Sequence, residues 1–239
     1  ANAVVTINDS TIICNDQNES ENYYAIAVNK DATNAVVTVN GGEIIVNGGS
    51  YAGSVSSDDA SLVLNGTETH GATIRVVNFA IVYGNNYYSF STLAEAIEVV
   101  KAGETIELVR DVTVAEPITI PAGKSVVLNL NGKTLSGVDT GTASYALIEV
   151  LSGASLTIND TLGGKIVASA EQNRGWNAYS SVISNQRGTL TVNGGTIEHL
   201  GGTDMAYAID NLTNGKNTVA VATINDGTIK STYRAIRQF

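Results

Sequence analysis

One short pattern recurs along this chain and constrains its fold more than any other feature. It is an apolar residue, Thr, a second apolar residue, Asn, then Gly or Asp, with another β-branched strand start close behind. Clear copies are Val5-Thr6-Ile7-Asn8-Asp9, Val37-Thr38-Val39-Asn40-Gly41, Leu156-Thr157-Ile158-Asn159-Asp160, Leu190-Thr191-Val192-Asn193-Gly194 and Ala222-Thr223-Ile224-Asn225-Asp226. Weaker copies are Val63-Leu64-Asn65-Gly66 and Leu128-Asn129-Leu130-Asn131-Gly132. With the Asn as marker, the intervals are 32 (8 to 40), 25 (40 to 65), 28 (131 to 159), 34 (159 to 193) and 32 (193 to 225). Repetition on this scale reads as the coils of a solenoid, and the unequal intervals fit a three-sided coil with loops of different length. The residues flanking Thr alternate apolar, polar, apolar, so a strand would bury the flanking pair and turn Thr outward. Asn then falls at the corner, where its tolerance of left-handed dihedrals and its side-chain amide both serve.

A second strand family lies between the markers: Tyr23-Tyr24-Ala25-Ile26, Tyr145-Ala146-Leu147-Ile148, Tyr179-Ser180-Ser181-Val182-Ile183, Tyr207-Ala208-Ile209 and Tyr233-Arg234-Ala235-Ile236. Where a marker follows, it comes 10 to 16 residues after the Ile. Two strand types in constant order stack like on like, which gives parallel sheets, aliphatic stacks inside and ladders of Thr and Asn. The expected fold is all-β, a right-handed parallel β-helix.

Composition agrees. A chain of 239 residues with 43% hydrophobic content can bury a sizeable core, and 15% charged residues among abundant Gly, Asn, Thr and Ser suit short strands and tight turns. No apolar run approaches the roughly 18 to 20 residues that span a bilayer, so membrane insertion is not expected. The balance of 13 basic to 23 acidic residues, formally −10, argues against nucleic acid as a partner. The single cysteine, Cys14, excludes an internal disulfide and reads as a small buried hydrophobe. The chain begins Ala1-Asn2-Ala3-Val4 without the basic and apolar regions of a secretion signal, so localisation has to be inferred.

One segment breaks the pattern. Thr92 can cap a helix, Glu95 completes a capping box, and Leu93, Ala96, Ile97 and Val100 share a face before Gly103, which predicts one short α-helix near 93–102. Ahead of it, Asn78 to Phe90 reads as a hairpin around Gly84-Asn85-Asn86. Strands are expected at Thr105–Leu108, Ile118–Ile120 and Val126–Leu130, with Pro117 and Pro121 confined to strand ends. The organisation is then coils over 1–77, hairpin and capping helix over 78–103, and a second set of coils over 104–239.

Residues 79 to 137 resemble the start of a pectate-lyase-like β-helix module of bacterial and archaeal cell-surface, adhesin-like proteins. The resemblance rests on Tyr87-Tyr88, Thr92-Leu93-Ala94-Glu95-Ala96-Ile97, Gly103-Glu104-Thr105-Ile106-Glu107-Leu108, Asp111-Val112-Thr113, Ile118-Thr119-Ile120-Pro121-Ala122-Gly123-Lys124 and Leu128-Asn129-Leu130-Asn131-Gly132-Lys133-Thr134-Leu135. It implies a secreted, extracellular protein in which the helix caps one end of a solenoid. Here three coil markers precede that cap, so the chain reads as the end of one solenoid followed by the beginning of the next. From Ile236 through Phe239 and on to Asn8 of a further copy is 3 + 8 = 11 residues, inside the spacing found within the chain. End-to-end stacking is therefore expected, through Ala3, Val5, Ile7, Ala235, Ile236 and Phe239, with a second copy or a neighbouring repeat as partner and a filament as the product.

Catalytic chemistry is not expected. A glycosidase needs paired carboxylates, whereas Glu149, Asp160, Glu171, Glu198, Asp204 and Asp210 read as surface charge scattered among the loops of different coils. His70 and His199, far apart and without neighbouring His or Cys, read as exposed turn residues. No cofactor is expected. Asp16, Glu19 and Glu21 lie in an oxygen-rich stretch that could hold Ca²⁺ but lacks EF-hand spacing. Trp176, with Arg174, Asn177 and Tyr179, could form a sugar platform. Outward Thr ranks also raise ice binding, against which the uneven intervals argue. The leading expectation is an extracellular structural or adhesive module. The alternative is a carbohydrate-binding or carbohydrate-active β-helix, with glycans as partners.

Overall fold

The computed structural model describes residues 3–15, 24–29, 31–47, 51–56, 60–70, 74–83, 86–141, 143–170, 178–201, 205–213 and 219–239. The chain divides into two compact units: unit 1 comprises Ala1–Ala80 with Tyr88–Ser91, and unit 2 comprises Ile81–Tyr87 with Thr92–Phe239.

Unit 1 is a three-sided β-solenoid. Its strands are β1 (Val4–Asn8), β2 (Thr11–Asn15), β3 (Tyr24–Val28), β4 (Val36–Asn40), β5 (Glu43–Asn47), β6 (Tyr51–Val55), β7 (Ser61–Asn65), β8 (Glu68–His70) and β9 (Ile74–Val76). They form three parallel sheets, ordered β1-β4-β7, β2-β5-β8 and β3-β6-β9, so each side of the coil stacks on the same side of the next. Register follows the repeat: Thr6 lies beside Thr38 and Asn8 beside Asn40, which in turn lies beside Asn65. The core is centred on the middle coil, where Val39, Ile44 and Ala52 are fully buried. Cys14 lies in β2 beside Val46, partly buried against that cluster as a small apolar residue would be.

The hairpin strands are β10 (Phe79–Tyr83) and β11 (Asn86–Phe90), followed by helix α1 (Leu93–Val99). Both halves of the predicted capping box form: Glu95 N–H donates to Thr92 Oγ1 at 3.2 Å, and Thr92 N–H donates to Glu95 Oε2 at 3.0 Å. The helix ends three residues short of the expected 102. Val100 turns extended (ψ 136) and buries its side chain, and Lys101 to Glu104 close a separate turn with Gly103 at φ 86.

Unit 2 continues with β12 (Thr105–Leu108), β13 (Val112–Val114), β14 (Ile118–Ile120), β15 (Ser125–Asn129), β16 (Thr134–Asp139), β17 (Tyr145–Val150), β18 (Ser155–Asn159), β19 (Lys165–Ala170), β20 (Ser180–Gln186), β21 (Thr189–Leu200), β22 (Ala206–Leu212), β23 (Val221–Ser231) and β24 (Arg234–Gln238). One side of the coil is the sheet β14-β17-β20-β22-β24. The other two sides merge into one ten-stranded sheet, because β21 and β23 run through the corner without a break and pair with strands of both sides. Helix α1 packs on β14, where Lys124 Nζ donates to the carbonyl of Glu98 at 2.8 Å.

The alternation read from the repeat is present. Leu156 and Ile158 are buried and Thr157 between them is not. Two details differ. The coil partner of Asn159 is Asn129, not Asn131, because Leu128 lies beside Ile158. The marker Asn residues of the clear copies also do not take the left-handed conformation; in unit 1 the next residue does, with φ of 43 at Asp9, 66 at Gly41 and 65 at Gly66. An extended Asn keeps its amide in line with the Asn one coil away, and the reversal passes to a residue whose side chain is absent or short.

Candidate functional site

Two regions carry polar and aromatic side chains in arrangements that repetition alone does not dictate: the outer face of the β14-β17-β20-β22-β24 sheet, and the open edges of the first and last coils.

On the sheet face, parallel register places the residue after each stacked Ile in one rank: Glu149, Ser184, Asp210 and Arg237. Arg237 grips Asp210 with two hydrogen bonds, Nε to Oδ1 at 2.6 Å and Nη2 to Oδ2 at 2.5 Å. Its guanidinium lies over the rings of Tyr179 at 4.3 Å and Tyr207 at 4.4 Å, so aromatic faces cover the ion pair. Burial pushes the Asp210 carboxyl above its ordinary range, and the guanidinium works against that rise. Burial likewise raises the Tyr207 and Tyr145 hydroxyls, with Glu116 adding to the rise at Tyr145.

Beside this pair is a groove of about 270 Å³ whose lining includes Ala146, Ser181 and Ser184, with Tyr179, Glu149 and Gln186 among its walls. Gln186 Nε2 donates to Glu149 Oε1 at 3.2 Å. The groove thus offers an aromatic ring, hydroxyls, an amide and one carboxylate. The second carboxylate of that rank, Asp210, is held by Arg237.

Of the expected glycan contacts, Tyr179 belongs to this region, while Arg174, Trp176 and Asn177 lie outside the described residues. So do the Ca²⁺ candidates Asp16, Glu19 and Glu21, and the acidic residues Glu171 and Asp204. Among the described residues no group of three or more His, Cys, Asp or Glu is placed to hold a metal ion.

Several expectations need correction. Asp160 and Asp210 are buried, not surface charge. Asp160 accepts from four backbone N–H groups: Gly132 at 2.8 Å, Leu162 at 3.1 Å, Gly163 at 2.7 Å and Gly164 at 2.8 Å. It pins a corner that carries three more residues than that of the next coil, since Asn159 to Ile166 is 7 positions and Asn193 to Ile197 is 4. Glu149, Glu198 and Asp210 lie in strands, not loops. His199 is 1% exposed, inside β21, and its Nε2 lies 2.8 Å from Ser180 Oγ. An inward strand position beside a small hydroxyl residue buries the ring, and both partners are closed to a substrate. His70 is exposed as expected but lies in β8, between Glu43 and Glu68.

At the coil edges, the expected interface residues are placed on outermost strands. Val5 and Ile7 belong to β1, with Ala3 immediately before it, and Ala235 and Ile236 belong to β24, with Phe239 just after. The inner rank Leu128, Ile158, Val192 and Ile224 is exposed by 1, 0, 0 and 37% respectively, and Ile236 is 48% exposed where Ile209 is fully buried.

The sequence pattern missed the Asp210–Arg237 pair. The signal was present, since aligning the second strand family on its Ile residues puts Glu149, Ser184, Asp210 and Arg237 in one column.

Comparison of the chain with protein-family models, with curated proteins and with solved structures finds no match in any of the three.

Proposed function

We propose that this chain is an extracellular structural module of the pectate-lyase-like, adhesin-like kind, which supplies length and stiffness to a cell-surface protein and does not catalyse. The observation that carries this reading is the use made of the polar side chains on the coils. Asn65 Nδ2 donates to Asn40 Oδ1 and Asn40 Nδ2 to Asn8 Oδ1, both at 2.8 Å. Asn225 Nδ2 donates to Asn193 Oδ1 at 2.8 Å and Asn193 Nδ2 to Asn159 Oδ1 at 2.9 Å. Asp160 holds backbone, Asp210 holds Arg237, and Glu107 accepts from Asn129 and Asn131. Groups that could do chemistry are engaged in joining one coil to the next, and ladders of this kind resist shear along the stack.

A second reading has its own observation. The groove lined by Tyr179, Ser181, Ser184 and Gln186 combines a ring face with hydroxyl and amide groups, the chemistry that recognises a neutral sugar. Two measurements separate the readings. Pulling single chains from their ends should show stepwise coil-by-coil extension under load, and collapse at negligible force would refute the structural role. Incubation with a panel of plant and mucin polysaccharides should release no shortened products. Saturable glycan binding that is lost in Tyr179→Ala would move the assignment to the groove.

A further inference from the structure

We propose that the groove at Tyr179 continues past Ser144 and Tyr145 into a second groove at Glu116 and Asp139, and that the two together bind an oligosaccharide carrying protonated amines. The inference rests on the groove reading above and names its ligand class.

The first groove follows from which residues stack. On the sheet face Ala146 lies beside Ser181 and Glu149 beside Ser184, so two adjacent coils carry mostly small side chains there. In the next coil the partners are Tyr207 and Asp210, and Asp210 is clamped by Arg237. Small residues over two coils, followed by large ones in the third, leave a depression over β17 and β20.

Ser144 and Tyr145 line both this groove and a second one of about 240 Å³, whose lining includes Glu116, Asp139 and Thr140. Ser144 is tied to the far wall of the first, since Tyr179 N–H donates to its Oγ at 3.4 Å. Tyr145 reaches across the corner toward β16. A Cβ on Gly137 would stand 2.8 Å from the Tyr145 hydroxyl oxygen, so a glycine in that strand makes room for the ring. From Glu116, just ahead of β14, to Leu212 in β22, the lining crosses the neighbouring strands β14, β17, β20 and β22. Three inter-strand steps come to about 14 Å, which accommodates a short chain of sugar rings and exceeds a single ring.

The charge along this path has one sign. Glu149 lies in the first groove, where Gln186 Nε2 orients its carboxylate, and Glu116 and Asp139 lie in the second. Asp139 is buried and accepts from Gly141 N–H at 3.2 Å, whereas Glu116 is exposed and Glu149 half-buried. The Tyr145 hydroxyl is raised by burial and further by Glu116, which places that carboxylate close to the point where the grooves meet. Among the described residues that line either groove there is no Lys, Arg or His. A sugar acid would meet like charge here, on a chain already at −10. An ammonium group instead gains a charge-assisted hydrogen bond from each carboxylate it reaches. The Tyr179 ring, the hydroxyls of Ser144, Ser181 and Ser184 and the Gln186 amide match the ring faces and hydroxyls of a sugar. A bare polyamine would use the carboxylates and leave those groups idle.

The test is calorimetric titration of the 239-residue chain with a short chitosan oligomer, its N-acetylated counterpart, an oligogalacturonate and spermine. The chitosan oligomer should bind about tenfold more tightly than the N-acetylated one, and its affinity should fall as salt is raised. The oligogalacturonate should not bind, and spermine should bind more weakly than the chitosan oligomer. Glu116→Gln and Glu149→Gln should each weaken the chitosan oligomer about fivefold and leave the N-acetylated one unchanged, while Tyr179→Ala weakens both. Equal affinity for the two oligomers would overturn the amine selection and leave the groove reading standing. Binding of neither would overturn both. Spermine bound as tightly as the chitosan oligomer, a preference for the oligogalacturonate, or chitosan binding unmoved by both Gln variants would each overturn the proposal.

Discussion

The two units use the same marker and turn their corners differently. In unit 1 the residue after Asn is left-handed, and the coil breaks into separate strands on each side, β1 and β2 or β4 and β5. In the last coils of unit 2 the left-handed residue comes one position later, at Gly195 (φ 79) and Gly227 (φ 107), and the strand continues through the corner. A Cβ on Gly227 would stand 2.6 Å from the carbonyl oxygen of Gly195, so glycine there lets one coil settle directly on the next. The repeat therefore dictates which side chains face inward, while the placement of glycine after the marker decides whether two sides of the coil are one sheet or two.

The difference extends to the core, and the largest expected effect tests it. Ile158 is fully buried between stacked neighbours above and below, whereas Ile7 occupies the equivalent rank in an edge coil and is partly exposed. Ile158→Ala should destabilise unit 2 by about 4 kcal/mol, as large-to-small changes in closed cores do, and Ile7→Ala should destabilise unit 1 by about 1 kcal/mol. Urea unfolding of the two variants checks this. Equal losses would mean that the first coil is as well covered as an inner one, and the contrast between the units would fail.

The Arg237 site ranks next. Removing the guanidinium leaves the buried Asp210 carboxylate without its partner, so Arg237→Met should cost about 3 kcal/mol near neutral pH. The pH dependence follows from the direction of the Asp210 shift. Its pKa is raised above the ordinary 3.8 by burial, so the folded state holds the proton more tightly than the unfolded chain. Its contribution to stability is full below about 3.8 and declines as pH rises through the folded pKa. Arg237 opposes that rise, so its loss should extend the decline to higher pH. The penalty of Arg237→Met should shrink on acidification, and denaturation midpoints between pH 3 and 7 would read it out. A penalty independent of pH would assign the effect to lost packing on Tyr179 and Tyr207.

Both effects bear on what the sequence made legible. Parallel coils, the in-and-out alternation, the strand at Ile118–Ile120 between two prolines and the capping box at Thr92 follow from local chemistry, and each is present. What escaped depends on vertical register. Asn131 occupies the marker's place in the sequence pattern, and only the stacking of Leu128 on Ile158 selects Asn129 instead. His199 looked like an exposed polar residue because nothing local records that Ser180 faces it across the interior. Asp160 looked like surface charge because its four donors come from a neighbouring corner and from its own loop.

Asp160 provides the third comparison, since unit 1 has no corner of that length among the described residues. Asp160→Ala strands the buried N–H of Gly164 and removes three further contacts, and should cost about 2 kcal/mol. Asp160→Asn, which keeps two acceptor positions at most on one oxygen, should fall between. Hydrogen exchange at Gly163 and Gly164 should accelerate in both variants, and unchanged protection there would show that the corner holds itself without the carboxylate.

The smallest effect concerns the side-chain oxygens that receive the Asn amides in the first coil of each unit. Asn8 Oδ1 receives Asn40 Nδ2 in unit 1, and in unit 2 Glu107 receives Asn129 Nδ2 and Asn131 Nδ2, both at 3.3 Å. Glu107→Gln replaces one acceptor oxygen by an NH2 group that faces two other amide donors. The side chain can keep one contact by turning its oxygen toward either Asn, so the loss should be about 0.5–1 kcal/mol, seen as a small shift in the denaturation midpoint with unchanged slope. If it leaves stability unaltered, the carboxylate at that position is not what holds the two amides, and the first coil of unit 2 would then rest on α1 and its packing against β14.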